Sequence, residues 1–208
     1  MRAFFKLISY IFHPLFIPVY MTVAVFSFPV LDMARINLYG RIVILALLLI
    51  NNVLVPLFAM RTLKVQGKIQ SYEMPGAAER QTPYIITFLL YAFTSWMFLK
   101  SSFVNPALKM IPLSAAIMVF FIFWINKKIK ISAHTAAMGS AFAYFLLMRF
   151  YYDYNTLVYL TLIMLITGFV GSARLFLQAH NEKEIYTGFG LGFVTMLTLG
   201  CCYLFYYN

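Results

Sequence analysis

The sequence predicts an all-α bundle of membrane-spanning helices, and three observations carry that expectation. Of the 208 residues, 63% are hydrophobic and only 11% charged, with a mean hydropathy of +0.84. Globular chains carry roughly 45–50% apolar and about 25% charged residues, so a soluble core of this length has no room for so much apolar surface and the bilayer must serve as solvent. The apolar residues also fall into segments near the ~20 residues that an α-helix needs to cross the hydrocarbon. Finally, no segment alternates polar and apolar residues as a half-buried strand does, and no internal repeat is visible.

Taken in order, the segments lie at about 7–30, 37–60, 83–100, 107–125, 131–149, 156–177 and 185–206. The first follows Arg2 and Lys6, contains His13, Pro14 and Pro18, and runs on without a small-residue cleavage site, so it reads as a span rather than a removed signal. Prolines 29, 56, 83, 106 and 112 fall near segment ends or are absorbed as kinks. Tyr151, Tyr152 and Tyr154 suit an interfacial aromatic belt. Cys201 and Cys202 are adjacent in an apolar run and suggest neither a disulfide framework nor a metal site. The expectation is one integral membrane domain over residues 1–208, with six to seven transmembrane helices, two of them leading in 1–60.

Folding the segments back and forth puts the N-terminus and residues 61–82, 126–134 and 178–184 on one face. That face collects Arg2, Lys6, Arg61, Lys64, Lys68, Arg80, Lys127, Lys128, Lys130, Arg174 and Lys183, which is 11 of the 16 basic residues. It also carries Glu73, Glu79, Glu182 and Glu184, with His134 and His180. The other face has Arg35, Arg41, Lys100, Lys109 and Arg149, with Asp32 and Asp153. The formal charge of +10 is scattered between spans, which points to anionic lipid or phosphate rather than nucleic acid. By the positive-inside rule the richer face is cytoplasmic.

Three polar segments lie on that face. The first, RTLKVQGKIQSYEMPGAAERQTPY, reads as a mostly solvated loop ending in Arg80, whose guanidinium can grip an oxyanion bidentately. The second, KISAHTAAMG, opens a span with small residues suited to close helix packing, and Ser132 is placed to cap it. The third, GSARLFLQAHNEKEIYTGFGLG, places Glu184 four residues after His180, where a carboxylate can fix the imidazole tautomer. Gly188, Gly190 and Gly192 follow no strand, so they are not a dinucleotide fingerprint; Gly188 and Gly192 read as a GxxxG packing surface. His13 is either a further lining residue or a histidine that packs between helices.

The order Arg80, then Ser132-Ala133-His134, then Arg174-x5-His180-x3-Glu184 resembles the three motifs of the phosphatidic acid phosphatase type 2 superfamily, over roughly residues 61–195. Those motifs are K-x6-R-P, PSGH and SR-x5-H-x3-D. This chain departs from them at Ile131, Ala133, Ala173 and Glu184, and Glu73 stands where the family has its lysine. Lys68 or Lys64 is then the substitute offered by the loop.

The resemblance implies a metal-independent phosphatase of the bacterial inner membrane, without a cofactor, acting on a phosphorylated lipid. His180 would be the nucleophile, Glu184 its orienting carboxylate and His134 the general acid and base. Arg80, Arg174, Lys68 and the backbone around Ser132 and Ala133 would bind phosphate. The family mostly works on the outer face, which conflicts with the charge asymmetry, so the side stays open. Two other readings also stay open: a non-catalytic relative that binds or moves phosphorylated lipids, and an unrelated transporter with a His/Glu proton relay.

Overall fold

The computed structural model describes residues 1–28, 36–72, 74 and 76–207; Asp32, Arg35 and Glu73 lie outside them. The described residues are helical, with no strand among them. In chain order the helices are α1 (Arg2–Ile11), α2 (Ile17–Val25), α3 (Leu38–Leu49), α4 (Val55–Val65), α5 (Ala77–Lys100), α6 (Pro106–Ile125), α7 (Ala133–Tyr152), α8 (Leu157–Phe176) and α9 (Glu182–Tyr207). A π-helical turn, Ile50–Leu54, joins α3 to α4, and Leu38–Val65 runs as one long element. Pro56 sits just beyond that turn and has no N–H to give, which favours a local change of pitch there. Asn52 inside the turn is fully buried and accepts a hydrogen bond from Thr94 Oγ1 of α5 at 2.9 Å.

Leu38–Val65, Ala77–Lys100, Pro106–Ile125, Leu157–Phe176 and Glu182–Tyr203 are long and apolar enough to cross a membrane. The chain therefore has the make-up of a membrane protein. Among the described residues five elements meet these criteria, against the six to seven spans expected, and the two departures have physical reasons. The first expected span is broken between Phe12 and Phe16, leaving α1 and α2 too short individually. Pro14 lies inside the break and Pro18 opens α2 at its first turn. Helix α7 is long enough at 20 residues but carries Ser, Thr, His, Ala and Gly in place of large apolar side chains.

That composition suits the position of α7, because 13 of its 20 residues are buried. Its small residues admit a neighbouring backbone. A Cβ at Gly192 would strike the carbonyl of Ala136, one at Gly139 the carbonyl of Phe189, and one at Gly188 the carbonyl of Ser132. Gly190 has nothing within 4 Å of such a Cβ. The GxxxG reading of Gly188 and Gly192 thus describes the α7–α9 contact, the tightest in the bundle. Two cross-helix hydrogen bonds fix the register at its end: Ser132 N–H to Glu184 O at 3.1 Å, and Thr135 Oγ1 to Ile185 O at 2.9 Å. Around this pair α5 packs on α6, α1 on α8, and α2 on α3, α6 and α7.

Candidate functional site

The α7–α9 register brings the second and third polar segments together. His180 lies in the link between α8 and α9, and Asn181 caps α9: its Oδ1 accepts from Glu184 N–H at 2.9 Å, while Glu184 Oε2 accepts from Asn181 N–H at 3.4 Å. This reciprocal pair is a capping box, and it sets the Glu184 side chain where Oε2 also meets His180 Nδ1 at 2.8 Å. The expected His180–Glu184 contact is present, although His180 precedes the helix rather than lying in it. A carboxylate only accepts, so Nδ1 carries the ring proton and Nε2 keeps its lone pair. Burial is the main reason that the His180 imidazole titrates below its ordinary range, at about 4; the positive charges of Arg174 and Lys130 act the same way and Glu184 opposes them. The ring is therefore neutral at ordinary pH.

Ser132 caps α7 as expected, its Oγ accepting from Thr135 N–H at 3.4 Å. His134 follows in the first turn. Its Nε2 faces the carbonyl of Ser9 at 3.2 Å. A carbonyl can only accept, which puts the proton on Nε2 and leaves Nδ1 as the basic nitrogen. His13 stands edge-on to this ring, with centroids 5.3 Å apart. His13 belongs to the α1–α2 break, and non-helical backbone at membrane depth is tolerated where it lines a cavity.

That cavity has a volume of about 580 Å³, and His13, Pro14, Leu15 and Phe16 all line it. His134, His180, Arg80, Arg174 and Ala133 line the same cavity, while Glu184 stands behind His180. Lys6, Arg61 and Lys130 add to its positive lining, and no described acidic side chain lines it. The charge of Arg174 acts on His13, His134 and His180. An anion entering this space meets concentrated positive charge in a poorly screened setting.

Arg80 sits in the second turn of α5, earlier than the predicted span began. It is buried and held on three sides. Its Nε donates to Met74 O at 3.0 Å and Gly76 O at 3.3 Å, and its Nη1 donates to Asn126 Oδ1 at 2.8 Å. Met74 adopts a left-handed backbone, φ 45°, which turns its carbonyl to that task at a cost of about 1–2 kcal/mol. Asn126 Oδ1 also accepts from Ile131 N–H at 3.2 Å, so one side chain ties Arg80 to the loop that leads into His134.

Two sequence candidates are placed differently. Lys68 is exposed and is not among the lining residues, although Arg61 before it and Tyr72 and Met74 after it are. Ser132 is fully buried and also absent from the lining, with its hydroxyl engaged in the α7 cap and its N–H in the bond to Glu184 O. Lys130, Asn126 and Tyr84 belong to the site and were not singled out in the sequence. Lys130 Nζ donates to Ala179 O at 2.6 Å beside His180, and its place directly before ISAHT was a usable signal. Among the described residues no three His, Cys, Asp or Glu side chains are grouped to hold a metal ion. No protein-family model, curated protein or solved structure matches the chain.

Proposed function

We propose that the chain is a membrane phosphatase that hydrolyses a lipid phosphate or diphosphate through a phosphohistidine at His180, as in the phosphatidic acid phosphatase type 2 superfamily that its motifs resemble. The observation that carries this reading is the convergence on one cationic cavity of Arg80, His134, Arg174 and His180, with Glu184 bonded to the far nitrogen of His180. His180 Nε2 attacks phosphorus with its lone pair, and the bond from phosphorus to the leaving oxygen breaks. His134 Nδ1, left basic because Nε2–H is engaged with Ser9 O, takes up the proton that the phosphate monoanion brings and passes it to the leaving oxygen. Water then attacks the phosphohistidine while His134 takes up its proton; the P–N bond breaks and its electron pair returns to His180. Arg80, Arg174 and Lys130, with the first-turn N–H groups of Ala133 and His134, neutralise the phosphoryl oxygens. Charge supplied in this way needs no metal.

The same proposal gives the chain seven crossings, with α1 and α2 together making one and α7 another, in the bacterial cytoplasmic membrane. Labelling of Gln66→Cys in intact cells, in a background without Cys201 and Cys202, assigns the side of the site. The functional test is phosphate release from dodecyl phosphate and farnesyl diphosphate by the purified full chain in a chelator. Release that vanadate inhibits supports the reading. Absolute dependence on magnesium overturns the mechanism, and no release from either substrate overturns the activity.

A further inference from the structure

Below its cationic mouth the cavity continues as an apolar arm between α2, α5, α6 and α7, with Met21, Tyr91, Ile111, Ala115 and Met118 in its walls. Its depth can be read on two antiparallel helices. On α5 the lining runs from Arg80 to Tyr91, and on α6 from Ile122 back to Ile111, 11 residue steps in each case. At about 1.5 Å per residue each path covers roughly 16 Å. One leaflet of the hydrocarbon core, half of ~30 Å, is about 15 Å deep. An arm of this length therefore matches the reach of one lipid chain whose phosphate stays at Arg80 and His180.

The arm also has a route to the bilayer. Helix α1 packs on α8 and α2 on α6 and α7, whereas α4 packs on α5. Between these groups the lining includes Tyr10 and Leu57, which are exposed on the outer surface of the bundle. Water is a poor occupant, because it needs two to four polar partners and the arm's walls are mainly apolar, with Thr87, Tyr91 and Ser140 as their polar side chains. Hydrocarbon fills it while restoring dispersion contacts to the walls.

We propose that this arm binds one hydrocarbon chain of the lipid inside the bundle, so that the protein reads the length of that chain. The inference rests on the lipid-phosphate reading for the headgroup end only. Hydrocarbon in the bilayer is as apolar as hydrocarbon in the arm, so selection comes from fit rather than from hydrophobic transfer.

The test is displacement of a fluorescent dodecyl phosphate from the full chain in detergent, by octyl, dodecyl and hexadecyl phosphate and by dioleoyl phosphatidic acid at equal micellar mole fraction. Dodecyl phosphate, whose chain matches the arm, is expected to compete about tenfold better than hexadecyl phosphate. Ala115→Phe, which fills the arm halfway down, should cost dodecyl phosphate about tenfold and leave octyl phosphate unchanged. Ile111→Ala, which deepens the floor, should extend the preference to hexadecyl phosphate, and it reads the proposal even if the phenylalanine variant does not fold. Equal competition by all four ligands, or a chain-length profile that neither variant moves, overturns the proposal. Phosphate release without chain selection removes the arm and leaves the phosphatase reading intact; chain selection without phosphate release does the reverse.

Discussion

Replacing Glu184 by Gln separates the two roles that this side chain holds. As the third residue of α9 it completes the capping box with Asn181, and Gln serves that role nearly as well. As the partner of His180 Nδ1 at 2.8 Å it supplies a negative charge, with both side chains largely shielded from solvent. The expected loss is the difference between a charge-assisted hydrogen bond, about 1.5–3 kcal/mol, and a neutral one, about 0.5–1.5 kcal/mol. Gln adds a second penalty, because its amide can donate to Nδ1 and send the ring proton to Nε2, the nitrogen that must attack. Together these give about 2 kcal/mol, a roughly thirtyfold slower formation of the phosphoenzyme. The assay is single-turnover phosphorylation of the protein beside a thermal melt in the same detergent. A rate within about threefold of wild type, or a rate loss matched by a loss of melting temperature, refutes an orienting role for Glu184.

Gly192→Ala and Gly139→Ala should each destabilise the bundle by about 1–3 kcal/mol, since their Cβ atoms meet backbone carbonyls that cannot yield. Gly190→Ala, with open space around it, should stay within about 0.5 kcal/mol of wild type in the same thermal melts, and equal effects at all three positions would refute the α7–α9 register. Nitrogen-15 NMR of His180 should show a ring that stays neutral as pH falls through 6.5 and protonates near 4, so the nucleophile is lost only on the acid side of that value. A midpoint at the ordinary 6.5 contradicts the buried site. His134→Ala should lose about 10²–10⁴-fold on an alkyl phosphate and much less on an aryl phosphate, whose leaving group needs no proton. His180→Ala should lose activity on both, and equal losses for His134→Ala on both would remove His134 as the acid.

The extent to which the sequence foretold this arrangement varies from residue to residue. Apolar run lengths located α6, α7, α8 and α9 to within three residues, because a membrane helix leaves that period and length in the chain, whereas α5 begins six residues before its expected span. They did not reveal that the first run breaks at His13 and Pro14, since a proline in such a run is equally compatible with a kink. The spacing of His180 and Glu184 pointed to their contact, but the agent is the capping box, and N-x-x-E before an apolar run was its legible signal. Lys68 was chosen by proximity in a loop, and nothing local says which residues of that loop line the cavity. The apolar arm was beyond reach. Tyr91, Ile111 and Met118 look like any other lipid-compatible residue until packing leaves space between them.

The central claim is that His180 carries the phosphoryl group. Its most direct test is to mix the full chain with radiolabelled dodecyl phosphate or farnesyl diphosphate in a chelator, quench in alkali, and locate the label by peptide mass spectrometry. The account predicts an alkali-stable, acid-labile phosphate on His180, absent from His180→Ala and accumulating in His134→Ala with farnesyl diphosphate, whose leaving group needs no proton while hydrolysis is impaired. Label on any other residue, or phosphate release at full rate from His180→Ala, contradicts it.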